Sequence, residues 1–178
     1  MSGHSKRGPG GTVVGALQGV FGSERCYCAD MLQVPEAGWP VSADAPQTAD
    51  VQSITSFARA FDDVVESGVG FSVTVPPAVT KLNLRLPGRI LDGAPDERQV
   101  VLRVYARVVA GGWSGASALG IMKIPNDLPQ SVSFSVLLAP LGVSPGDSVQ
   151  LLLTRNSASP SDTLEGRWGL YEVGANFA

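Results

Sequence analysis

The chain has 178 residues, enough for one main domain with an extension, and its formal net charge of -3 argues against a nucleic-acid binder with a basic stripe. Its 21 Gly and 13 Pro favour a turn-rich β protein over a helical bundle, and no apolar run approaches the roughly 18 residues that a bilayer span requires. Charged residues make up 16% against 44% hydrophobic, so part of the surface is expected to be covered by neighbouring subunits.

The first 25 residues open on a small basic cluster, Lys6 and Arg7, followed by a glycine-rich, weakly apolar stretch. Gly15, Gln18, Gly19 and Gly22 interrupt the apolar part, and no small-residue cleavage site follows, which argues against a secretory signal. Such a leader loses much conformational freedom on ordering, so it is expected to take shape only against partner subunits. Val13, Val14, Leu17, Val20 and Phe21 are its apolar contact residues. Cys26 and Cys28 follow in a C-x-C spacing that a relaxed disulfide closes poorly, and no histidine stands near them to complete a metal set. They are expected to be reduced thiols, and the sequence leaves open whether they pair between subunits. Residues 29–56 carry Pro35, Pro40 and Pro46 without a clear period and are expected to be extended linker, with Trp39 as a packing anchor. Residues 1–56 therefore read as an anchoring arm and linker, and residues 57–178 as the folded domain.

From residue 61 the character changes. In FDDVVESGVGFSVTVPP, Val69, Phe71, Val73 and Val75 fall on one side and Gly70, Ser72 and Thr74 on the other, the period of a half-buried strand. Pro76 and Pro77 end it. Leu82, Leu84 and Leu86 then alternate with Asn83 and Arg85, and Pro87-Gly88 is expected to break that strand. Val100, Leu102, Val104, Ala106 and Val108 oppose Val101, Arg103, Tyr105 and Arg107. A weaker segment spans 113–123, and serines alternate with Val132, Phe134, Val136 and Leu138. A Pro-Gly turn at 144–147 leads to Val149, Leu151 and Leu153, and the last element, 166–173, sets Trp168 and Leu170 against Tyr171 and Val173. Strands at such spacing, without crossover helices, predict an all-β antiparallel sandwich or jelly roll with an irregular N-terminal arm.

Chemistry is sparse. The single histidine, His4, lies in the arm, which excludes a Ser-His-Asp or Cys-His system within the domain, and no phosphate-binding glycine loop has its strand-to-helix context. Asp62, Asp63 and Glu66, and Asp162 with Glu165, are read as loop acids that serve backbone N–H groups or solvent in preference to a glycosidase pair. Tyr105, Trp113, Trp168 and Tyr171 are the aromatics that would either stack on a glycan or pack in the core and interfaces. Arg103 and Arg107 either pair with acids of a neighbouring copy or stay solvated. Neither a metal site nor a cofactor site is expected.

FDDVVESGVGFSVTVPP, KLNLRLPGR, RVYARV and the closing SPGDSVQLLLTRNSASPSDTLEGRWGLYEVGANF together resemble small β-sandwich virion proteins of tailed bacteriophages. The resemblance covers roughly residues 57–178 and rests on turn and strand signatures. It implies a non-enzymatic homotrimer on the particle exterior, a capsid decoration or cement subunit bound to the major capsid protein. In that role Lys6, Arg7, the apolar arm residues and Trp39 would make the attachment. The alternative is a tail, neck or fibre component whose sandwich binds host glycan.

Overall fold

The computed structural model describes residues 24–49, 57–92, 98–109, 111–125 and 128–178. In chain order the strands are β1 (Arg25–Cys28), β2 (Ala43–Asp44), β3 (Gln47–Ala49), β4 (Phe57–Phe61), β5 (Ser67–Thr74) and β6 (Lys81–Ile90). They continue with β7 (Arg98–Val108), β8 (Ser117–Ile124), β9 (Gln130–Leu137), β10 (Ser148–Arg155), β11 (Trp168–Leu170) and β12 (Glu172–Phe177). A 3₁₀ turn at Ala139–Leu141 is the one helical element among the described residues.

Two sheets face each other. In the first, β6 pairs with β9 on one side, and on the other with β12 along its first half and β11 along its second. β1 extends this sheet beyond β12, while β4 and then β3 extend it beyond β11. The second sheet runs β2-β5-β10-β7-β8, and all its pairings are antiparallel except β2 with β5. Period-two alternation delivers Val69, Phe71 and Val73, Leu82, Leu84 and Leu86, Val100, Leu102 and Val104, and Val149, Leu151 and Leu153 to one shared core. This is the all-β antiparallel sandwich that the patterning predicts.

Two details of strand phase depart from expectation at one place. β6 does not stop at Pro87-Gly88 but runs through to Ile90. Opposite it, Leu170 pairs with Gly88 and Gly174 with Arg85, so three residues of the β11–β12 strand face two of β6. Tyr171 is the extra residue of this bulge and donates its N–H to the Pro87 carbonyl at 3.0 Å. The missing proline donor thus falls where the ladder is already interrupted, and β6 tolerates it. The bulge also resets parity, so Val173 and Ala175 join Trp168 and Leu170 in the core instead of facing away from them.

Residues 24–49 belong to the sandwich, so the boundary near residue 57 does not divide them from it. β1, β2 and β3 each pair with a strand of the later chain. The irregular stretch between them pairs Gln33 with Gly70 at the edge of β5 and then crosses the outer face of the second sheet, where the Trp39 ring lies on the Gly70 backbone. A Cβ at Gly70 would come within 2.5 Å of that ring, so glycine is what lets the indole seat there. Arg59, which is buried, pins the same stretch, donating to the carbonyls of Ala29 (2.8 Å), Leu32 (2.6 Å) and Ala45 (3.4 Å). Lys6, Arg7, Val13, Val14, Leu17, Val20 and Phe21 lie outside the described residues. No helix among the described residues is long and apolar enough to cross a membrane.

Candidate functional site

Each sheet has an outer face, and the polar residues that alternation sends there differ. On the second sheet Tyr105 and Trp113 do come together, beside Trp39, Val41 and Leu152. Trp113 meets the Trp39 ring at 4.9 Å between centroids, and the Arg107 guanidinium lies 5.0 Å from the Trp113 ring centre. Arg107 Nη2 donates to Gln150 Oε1 at 2.5 Å, and Gln150 Nε2 donates to Gln33 Oε1 at 2.9 Å. Arg103 pairs within the chain, with Glu66 at 3.6 Å, and Thr154 Oγ1 donates to the same carboxylate at 2.7 Å. Burial, and then the Glu66 carboxylate, push the Tyr105 phenol above its ordinary pKa. With Trp39 and Arg107 both against its ring, Trp113 serves as a cover over the sheet and not as an open stacking surface.

The other two aromatics sit elsewhere. Trp168 is fully buried, its ring 5.4 Å from that of Phe61, because its position in β11 points inward. Tyr171 occupies the bulge of the first sheet. The four therefore form no single sugar-stacking platform.

The acids are structural in four of five cases. Asp62 Oδ1 accepts from the Val64 N–H (2.7 Å) and the Val65 N–H (3.1 Å), and these bonds hold its carboxyl below the ordinary range. Asp63 accepts from the Gly166 N–H at 2.7 Å, and Glu66 is engaged as above. Asp162 is buried against Arg155. Glu165 is exposed. Among the described residues, no group of three or more His, Cys, Asp or Glu side chains is placed to hold a metal ion.

The first sheet presents the remaining polar surface. A groove of about 110 Å³ is lined by Glu24, Asn83, Leu84, Arg85, Ser133, Gly174 and Asn176. It exists because three adjacent strands send small or amide side chains outward at the same level. Asn83 and Arg85 alternate with the buried leucines of β6, Ser133 and Ser135 alternate with the valines of β9, and Gly174 and Asn176 reach this face because the Tyr171 bulge reset β12. Asn83 Nδ2 donates to Asn176 Oδ1 at 2.9 Å, and Ser135 Oγ donates to Asn83 Oδ1 at 2.6 Å. Arg85 sits at the centre, its Nε 2.6 Å from Glu24 Oε1 and its Nη2 2.5 Å from Glu172 Oε1. The two carboxylate hydrogen bonds, Glu172 first, raise the Arg85 pKa further above its already high value. Cys26 and Cys28 are free, exposed thiols on the same face of β1, opposite Gly174 and Glu172. Sequence patterning identified the polar sides of β6 and β9 separately. Nothing in it signalled that the bulge would bring β12 into phase with them.

No family model matches the sequence, and a search of curated proteins finds no match. Solved structures do match in fold. One is the CBM36-1 domain of a multidomain xylanase from the hindgut metagenome of Trinervitermes trinervoides, at TM-score 0.52 and 10% identity, covering 88% of this chain and 98% of that one. A family 35 carbohydrate binding module from Clostridium thermocellum gives TM-score 0.51 and 13% identity, covering 86% and 98%. The CBM22-1 xylan-binding domain from Paenibacillus barcinonensis gives 0.51 and 10%, covering 88% and 96%. At these identities the likeness establishes the jelly-roll sandwich and nothing finer. The resemblance to phage virion proteins has no counterpart among these neighbours.

Proposed function

We propose that the chain is a non-catalytic binding domain whose ligand is a carbohydrate, held in the groove on the outer face of the first sheet. The observation that carries this reading is the convergence of Asn83, Arg85, Ser133 and Asn176, from three strands, on one shallow cleft. Amide, guanidinium and hydroxyl groups at fixed spacing suit the alternating donors and acceptors of sugar hydroxyls. The fold it shares with carbohydrate-binding modules is consistent with this, and so is the structural employment of Asp62, Asp63 and Asp162. The test is binding of the whole chain to a panel of soluble polysaccharides by affinity electrophoresis and calorimetry. Asn83→Ala with Asn176→Ala should weaken binding about tenfold or more, since each neutral hydrogen bond contributes roughly 0.5–1.5 kcal/mol. Retention of no polysaccharide by the wild type, or full binding by the double variant, would sink the reading.

A second reading is a homotrimeric virion subunit on the particle exterior that grips the major capsid protein, or a tail or neck protein, through residues 1–23. Exposed apolar side chains favour it: Val64 is 81%, Val109 74%, Leu128 62% and Phe57 58% exposed in a chain of low charge. Removal of residues 1–23 should leave a folded sandwich that no longer joins shells. Full decoration of empty capsids by that truncated chain would discard the arm.

A further inference from the structure

Glu24 stands outside the ladder of β1, whose pairing with β12 begins at Arg25 opposite Ala175. Its carboxylate nonetheless lies in the groove, over Gly174. A Cβ built on Gly174 would fall 1.8 Å from Glu24 Oε1, so the missing side chain is what makes room for this carboxylate. Glu24 and Glu172 then share one guanidinium, Arg85, but they are anchored differently. Glu172 is fixed within β12, paired to Cys28, whereas Glu24 is tied to the groove by Arg85 and a 3.9 Å contact from the Cys26 thiol. Its side chain is 33% exposed, so the pair sits at the water's edge, where such contacts are weak and exchangeable.

We propose that the groove takes an acidic saccharide, a uronate, whose carboxylate displaces Glu24 from Arg85 while its hydroxyls bond to Asn83, Ser133 and Asn176. Glu24 is the site's built-in stand-in for that carboxylate. Arg85 Nε, which Glu24 occupies, turns to the ligand's carboxylate in a charge-assisted hydrogen bond while Nη2 stays on Glu172, and Gly174 supplies the space for it. This inference rests on the groove being the glycan site, and it adds the ligand's charge and a competitor within the chain.

Polygalacturonate and its fully methyl-esterified form share one backbone and differ in charge, so they serve as matched probes. Removing the competing carboxylate by Glu24→Gln in the whole chain should tighten polygalacturonate binding by about fivefold, the upper worth of an exposed ion pair. Binding of the ester should change by less than about twofold on the same grounds. The gain should vanish as salt is raised, and Arg85→Gln should abolish the preference for the acid. Glu24→Ala, with a melting curve, guards against a folding artefact. If both polymers bind and Glu24→Gln leaves their ratio unchanged, the stand-in role is wrong while the glycan site stands. If neither these nor any polysaccharide of the panel binds wild type or variant, both fall.

Discussion

Arg155 shows at the level of one residue how a strand can end in a charge and still lie in the core. Its side chain is wholly buried, and its donors are all spent. Two go to Asp162 (2.7 and 3.1 Å), and others reach the carbonyls of Leu164 (2.5 Å), Gly166 (2.7 Å) and Phe61 (3.4 Å). Asp162 in turn accepts from the Val101 N–H at 2.9 Å, so the pair ties the 156–167 loop to β7 and β4. Losing one partner leaves the other charge buried and uncompensated, a cost of about 3–5 kcal/mol. Arg155→Met should therefore lower stability by about that much in urea unfolding, with the Arg155→Met, Asp162→Leu double variant recovering part of the loss. A loss below about 1 kcal/mol for the single variant would mean that the pair is not a structural brace. Asp62 acts through pH. Its carboxyl titrates lower in the folded chain than in the unfolded one, so its contribution is complete above the ordinary carboxylate pKa and fades as pH falls through the depressed value.

Among the elements, the short strands before residue 57 decide the domain's extent. β1 covers the β12 edge, β3 covers β4, and the stretch between them shields Leu152 and carries the carbonyls that satisfy Arg59. A chain beginning at Phe57 would expose that face and strand the Arg59 guanidinium in a half-built interior. Such a chain should fail to melt cooperatively where the full chain does, as followed by near-ultraviolet circular dichroism. Cooperative melting of 57–178 within a few degrees of the full chain would restore the boundary at residue 57. Sequence reading placed the boundary there because β1, β2 and β3 hold four, two and three residues, too few to display a period. Trp39 was expected to grip a partner subunit; instead its ring is buried within the chain, on Gly70 and against Trp113, because the glycine leaves the indole a seat there.

At the scale of the whole molecule, local pattern determined the fold class. Side chains on a strand alternate whatever the strand's partner is, so Val69 to Val73, Leu82 to Leu86, Val100 to Ala106 and Val149 to Leu153 declared their buried sides one by one. The sites were another matter. Trp168 and Tyr171 looked like companions of Tyr105 and Trp113, yet they lie in the core and in the first sheet. The groove depends on Asn83, Ser133 and Asn176, which are about 40–90 residues apart in the chain and meet only through strand register. That register hangs on one extra residue, Tyr171, opposite a proline that has no N–H to pair. Amino-acid order alone determined which side of β5, β6, β7 and β10 would face the shared core. Which wet sides meet, and that Glu24 sits over Gly174 on Arg85, only tertiary structure decided, because pairing is a relation between strands and no single strand encodes it.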